Sequence, residues 1–68
     1  MVKQEEIGAI IKAQRIKEGV SLEDLAALTG VGINTLSRLE RGVGNTRLNV
    51  LLTVTNALGL RLTVTAQK

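Results

Sequence analysis

Cysteine, histidine, proline and all three aromatic residues are absent from the 68-residue chain. Without Cys and His there can be no disulfides, thiolate nucleophiles, imidazole bases or ordinary zinc ligands. Serine stands only at Ser21 and Ser37, neither beside an activating base nor in a GxSxG setting, so capping and surface roles account for both. Enzymatic chemistry is left with few of its usual groups, and no metal or cofactor is expected. The missing aromatics also remove any platform on which single-stranded bases could stack. Long apolar runs are lacking too: no uncharged stretch exceeds 13 residues, and Leu48 to Leu60, of that length, is interrupted by Asn and Thr. A spanning helix needs about 20 apolar residues. Charges run through the apolar positions of MVKQEEIGAIIKAQR, which therefore does not read as a signal peptide. A cytoplasmic protein with no membrane partner is the expectation.

What remains is an aliphatic chain whose charge is unevenly placed. Hydrophobic residues make up 44% of it, enough to exclude disorder as the default. A domain of this size buries only about 60% of its unfolded surface, so a partner or a second copy would help its stability. Residues 1–29 carry four basic and five acidic side chains, whereas residues 30–68 carry five basic and one acidic, for a net charge of +3. The second half is thus suited to a phosphate backbone.

The segment Ser21 to Gly42, SLEDLAALTGVGINTLSRLERG, reads as two short amphipathic helices around a glycine. Ser21 and Asp24 are spaced as a capping box, and Val20 and Leu25 as the hydrophobic staple around it. Glu23 and Asp24 suit the positive end of a helix over 22–29. Gly30 ends that helix in the left-handed conformation of a C-cap, and Val31 anchors the turn. A second helix is expected over 33–41, with Leu36 and Leu39 inward and Gly42 as its stop. Its outer side then carries Ile33, Asn34, Ser37, Arg38 and Arg41 on one face. Most charged helix faces are ordinary solvated surface; here helix lengths, hinge and apolar positions agree with one another.

Around this pair the pattern predicts a first helix over 4–18, with Ile7, Ile10 and Ile11 as its inward stripe. Gly8 within it costs about 1 kcal/mol relative to Ala and fits a close helix contact. The sequence Gly42-Val43-Gly44-Asn45-Thr46 reads as a turn, since it lacks the GK[ST] ending of a phosphate loop. Asn45 or Thr46 is placed to cap a last helix over 47–58, with Arg47 beside it for a phosphate. That helix has two apolar stripes, Leu48, Leu51, Leu52 and Leu58 on one side and Val50, Val54 and Ala57 on the other. So wide an apolar surface expects burial beyond the domain. Residues 60–65 alternate strictly, Leu60, Leu62 and Val64 against Arg61, Thr63 and Thr65, as a half-buried strand does. With no second strand in the chain, antiparallel pairing with another copy is the simplest resolution.

The motif LAALTGVGINTLSRLERG resembles that of the Xre/Cro-type helix-turn-helix repressors, LAxxxGVSxxTISRxExG, and the likeness runs from about Ile7 to Gly59. The tail NTRLNVLLTVTNALGLRLTV is similar to that of HipB-type antitoxins, in which the fourth helix is followed by a short strand. The resemblance implies a mainly α, lambda-repressor-like bundle of about four helices in one domain, 1–68, with a C-terminal strand pairing across a homodimer. It further implies an ion pair between Arg15 and Glu40 that fastens the first helix to the recognition helix. Three positions depart from the family pattern: Leu22, where a DNA-contacting Gln is frequent; Gly32, where Ser or Thr usually caps; and Ile33, where a polar residue is common.

The combined expectation is a sequence-specific repressor of double-stranded DNA. Ile33, Asn34, Ser37 and Arg38 would meet base edges, with Ile33 suited to a thymine methyl. Thr35, Arg41, Asn45, Thr46 and Arg47 would meet phosphates. Dimerisation through Val50, Val54, Ala57, Leu60, Leu62 and Val64 would set two recognition helices roughly 34 Å apart on a palindromic operator. The HipB likeness implies a HipA-type kinase toxin as a possible partner. A stand-alone regulator without a toxin, or a protein adaptor using the same fold, are the alternatives.

Overall fold

A computed structural model describes residues 2–67. Among them are four helices, α1 (Gln4–Lys17), α2 (Leu22–Thr29), α3 (Ile33–Arg41) and α4 (Leu48–Ala57). Each helix gives at least one side chain to a single aliphatic core of Ile11, Leu25, Leu36, Leu39, Val54 and Leu58. Ile7, Val20, Leu22, Ala26, Val31, Val50, Leu51 and Leu60 pack around it, partly buried. Fully burying such side chains contributes about 1.5–3 kcal/mol each, which is how a chain without aromatics is held together.

α1 crosses α3 at Gly8. A Cβ at that position would stand 2.5 Å from the Glu40 carbonyl oxygen and would also strike the Leu39 carbonyl, so the close approach depends on glycine. This crossing fixes which side of α1 is inward. Gly8 and Ile11 are buried, and Ile7, Gln14 and Arg15 are half-buried. Ile10, expected in the inward stripe, is 57% exposed, because it lies a third of a turn away from the Gly8–Ile11–Arg15 line.

The α2 start is built as its sequence indicates. The Asp24 N–H donates to Ser21 Oγ at 3.0 Å and the Ser21 N–H to Asp24 Oδ2 at 3.4 Å. At the other end the Gly30 N–H donates to the Ala26 carbonyl, and the Val31 N–H to Thr29 Oγ1. The first two N–H groups of the turn into α3 are therefore both hydrogen-bonded. Leu22 is half-buried against the core, so this departure from the family pattern serves packing.

α4 differs from expectation at its start and on one of its faces. Arg47 occupies the N-cap position and no side chain caps it. Asn45 and Thr46 lie two residues and one residue too early to do so. At the C-terminus the Gly59 and Leu60 N–H groups bond to the Asn56 and Thr55 carbonyls, a Schellman closure that turns the chain back over the core. The stripe Val50, Val54 and Ala57 is not a free face: Val54 is 0% exposed within the core, Val50 is half-buried and only Ala57 lies open. Helical rotation places Val54 and Leu58 together toward α2 and the core, which leaves Leu48 and Leu52 outward at 64% and 39% exposure. Beyond Gly59 the single chain forms no strand among the described residues. Leu60 is tucked against the core, whereas Leu62 and Val64 are 39% and 93% exposed.

Candidate nucleic-acid interface

α3 is the helix whose two faces differ most in chemistry. Leu36, Leu39 and Glu40 are buried on one side; Ile33, Asn34, Thr35, Arg38 and Arg41 are exposed and Ser37 is half-buried. Asn34, Arg38 and Arg41 follow one another at i, i+4 and i+7, so they form the outward ridge. Ile33 with Ser37 flanks it on one side and Thr35 on the other.

The one carboxylate in this half of the chain is taken out of play. Arg15 Nε donates to Glu40 Oε2 at 2.6 Å and Nη2 to Oε1 at 3.1 Å, a bidentate pair, while Nη1 donates to the Val20 carbonyl at 2.9 Å. The two side chains are 12% and 5% exposed. Hydrogen bonding to Glu40 raises the Arg15 guanidinium above its already high range, reinforced by the charge of Glu40 and opposed by burial, so Arg15 stays ionised. With Glu40 neutralised inside, Arg38, Arg41, Arg47 and Arg61 are exposed with no exposed acid in residues 30–67. The surface therefore presents a positive field from a nearly neutral core.

Thr35, Arg38, Asn45 and Thr46, distant in sequence, border one shallow hollow of about 140 Å³ together with Val43 and Gly44. Arg47 lies beyond it at the α4 N-terminus. The first-turn N–H groups of α3 and α4 receive no N-cap side chain, since Gly32 and Arg47 hold the cap positions, although the Val50 N–H donates to Asn49 Oδ1 at 3.0 Å. Both helix starts thus keep donors and a positive dipole end next to the arginines. Arg41 leans back along its own helix, with Nε 3.4 Å from the Ser37 carbonyl.

Val50, Val54, Ala57, Leu60, Leu62 and Val64 are not brought together as one surface. Two residues absent from the sequence expectation belong to the α3–α4 side instead. Gln4 Nε2 donates to the Gly44 carbonyl at 2.7 Å, and Gly44 lies directly beneath the Arg38 guanidinium. The Gly42–Gly44 spacing marks a turn, but nothing local to Gln4 signals a contact forty residues away. Among the described residues no helix is long and apolar enough to cross a membrane.

This arrangement of helices is found in known proteins. A crystal structure of the clp gene regulator ClgR from Corynebacterium glutamicum superimposes with a TM-score of 0.78 at 35% identity, covering 88% of this chain and 77% of that one. A second ClgR structure gives the same score and identity over 64% of its chain. Uncharacterised HTH-type transcriptional regulators of Mycobacterium bovis and Mycobacterium tuberculosis are 44% identical over 59 residues. The match takes in 87% of this chain but only 23% of those longer proteins. Residues 11–64 match the helix-turn-helix family, and the chain belongs to it.

Proposed function

We propose that the chain is a sequence-specific, double-stranded DNA-binding transcriptional regulator that represses by occupying a palindromic operator as a homodimer. One observation carries this reading: α3 exposes Asn34, Arg38 and Arg41 as a ridge while its sole acid, Glu40, is neutralised in the interior. In the proposed complex the Ile33, Asn34, Ser37 and Arg38 side chains face base edges in the major groove, Arg38 being able to grip a guanine through two donors. Thr35, Arg41, Asn45, Thr46 and Arg47 hold the adjoining phosphates and fix the register. The names of the mycobacterial relatives and of ClgR support regulation of transcription.

The finer reading as a HipB-like antitoxin with a HipA-type kinase toxin rests on the likeness of residues 45–64 alone. The relatives carry the names of regulators, and a regulator without a toxin is the function adopted. For the second copy, residues 60–65 supply the exchangeable strand. Leu48 and Leu52 replace Val50, Val54 and Ala57 as the stripe of α4 free to join it.

The test is selection of duplexes from a randomised pool, followed by titration of the enriched duplex at several salt concentrations. Two exposed arginines on phosphates, Arg41 and Arg47, give a slope of log affinity against log salt of about −2 per protomer, at roughly −0.9 per neutralised phosphate. No enriched motif together with salt-insensitive binding would identify a protein adaptor instead.

A further inference from the structure

We infer that Gly44 and Gln4 are positioning residues for Arg38: the glycine provides the bay in which the guanidinium lies, and the Gln4 amide clamps that glycine in place. The inference rests on the proposed role of Arg38 at a base edge and adds the machinery that aims it.

Three contacts define the arrangement. A Cβ on Gly44 would stand 2.6 Å from Arg38 Nη2 and 3.1 Å from both Cζ and Nε. The guanidinium therefore lies against the loop at Gly44, in a position that a side chain at 44 would push it out of. The Gly44 carbonyl accepts from Gln4 Nε2 at 2.7 Å. The backbone of Gln4 and Glu5 also packs directly on Gly42, so the start of α1 holds the α3–α4 loop at two points. Thr35, Val43, Asn45 and Thr46 close the rest of the hollow around Arg38.

The consequence concerns entropy and direction. A free arginine samples many rotamers, and ordering it on binding subtracts from affinity; one already laid against a surface loses less. Arg15 with Glu40 is the only ion pair among the described residues, so the donors of Arg38 are not spent on an internal carboxylate. A guanidinium that is both restrained and unpaired is prepared for a planar, bidentate acceptor. Gln4 then tunes base preference from outside the helix-turn-helix motif.

The test compares wild type, Gly44→Ala, Gln4→Ala and Arg38→Ala, with two readouts. Nitrogen-15 relaxation at Arg38 Nε in the free protein should show a restricted side chain that Gly44→Ala and Gln4→Ala both loosen. Selection from a randomised duplex pool should then show one base-pair position at which all three variants lose preference, by about tenfold for Arg38→Ala and severalfold for the others. Gly44 has φ +81°, so Gly44→Ala strains the backbone as well; Gln4→Ala, on an exposed hydrogen bond, loosens the loop without that strain. Relaxation unchanged in Gln4→Ala, or a uniform loss of affinity with the base profile intact, overturns the positioning role. If Arg38→Ala alone leaves the profile unchanged while the relaxation responds as expected, the base-reading assignment is what has failed.

Discussion

At the scale of single residues, two contacts fasten α1 to α3. Arg15 and Glu40 form a nearly buried, bidentate pair, and removing one member leaves the other charge buried and unpaired, at about 3–5 kcal/mol. Glu40→Ala should therefore melt more than about 10 °C below wild type, given roughly 4–8 °C per kcal/mol for a domain of this size. An unchanged thermal transition by circular dichroism would show that the pair holds nothing. Gly8 sets two effects against each other. Alanine is favoured over glycine inside a helix by about 1 kcal/mol, but the new Cβ would meet Glu40 O at 2.5 Å and Glu40 C at 2.8 Å. Those are backbone atoms that cannot swing aside, and overpacking of this kind costs about 1–3 kcal/mol or more. Gly8→Ala is expected to lower the denaturant midpoint; a raised midpoint would mean that α1 can slide away from α3 freely.

At the scale of elements, the start of α2 is a local device and was legible in the sequence for that reason. Ser21→Ala removes the acceptor of the Asp24 N–H and should cost about 1 kcal/mol, visible as a shift in denaturant midpoint with an unaltered slope. The same locality explains why α2 and α3, bounded by Ser21, Gly30 and Gly42, could be placed from sequence. α1 and α4 have weaker punctuation. Lys3 and Arg47 sit at their N-caps without a side-chain bond, so the reading of Asn45 or Thr46 as a cap had no geometry behind it. The face of α4 was misread because its apolar residues cover most of the circumference, and periodicity cannot choose between two stripes when both are hydrophobic. Packing chose: Val54 went inward to 0% exposure and Leu48 stayed out at 64%. The Gln4 contact with Gly44 was invisible for a different reason, being a tertiary hydrogen bond with no sequence pattern of its own.

At the scale of the whole molecule, the apolar surface left over is what argues for a second copy. Ile10, Leu48, Leu52 and Leu62 are 57%, 64%, 39% and 39% exposed, on a chain of a size that buries only about 60% of its unfolded surface by itself. Ile10 and Leu62 border one hollow with Ile7, Ile11, Thr55, Leu60 and Arg61, so the segment after Gly59 already runs beside α1. Its alternating side chains would be satisfied by an antiparallel strand from a partner, whereas a lone two-stranded ribbon without a surface to lie on is marginal in water. Deleting residues 61–68 keeps the Leu60 hydrogen bond to Thr55 and the core, and removes all but the first residue of the proposed exchangeable strand. The shortened chain should keep its helical circular dichroism, sediment as a monomer where the intact chain sediments as a dimer, and bind a palindromic duplex little better than a single half-site. Retention of a dimer with undiminished preference for the palindrome would place the two-fold contact elsewhere, with the exposed Leu48 and Leu52 face of α4 as the surface to mutate next.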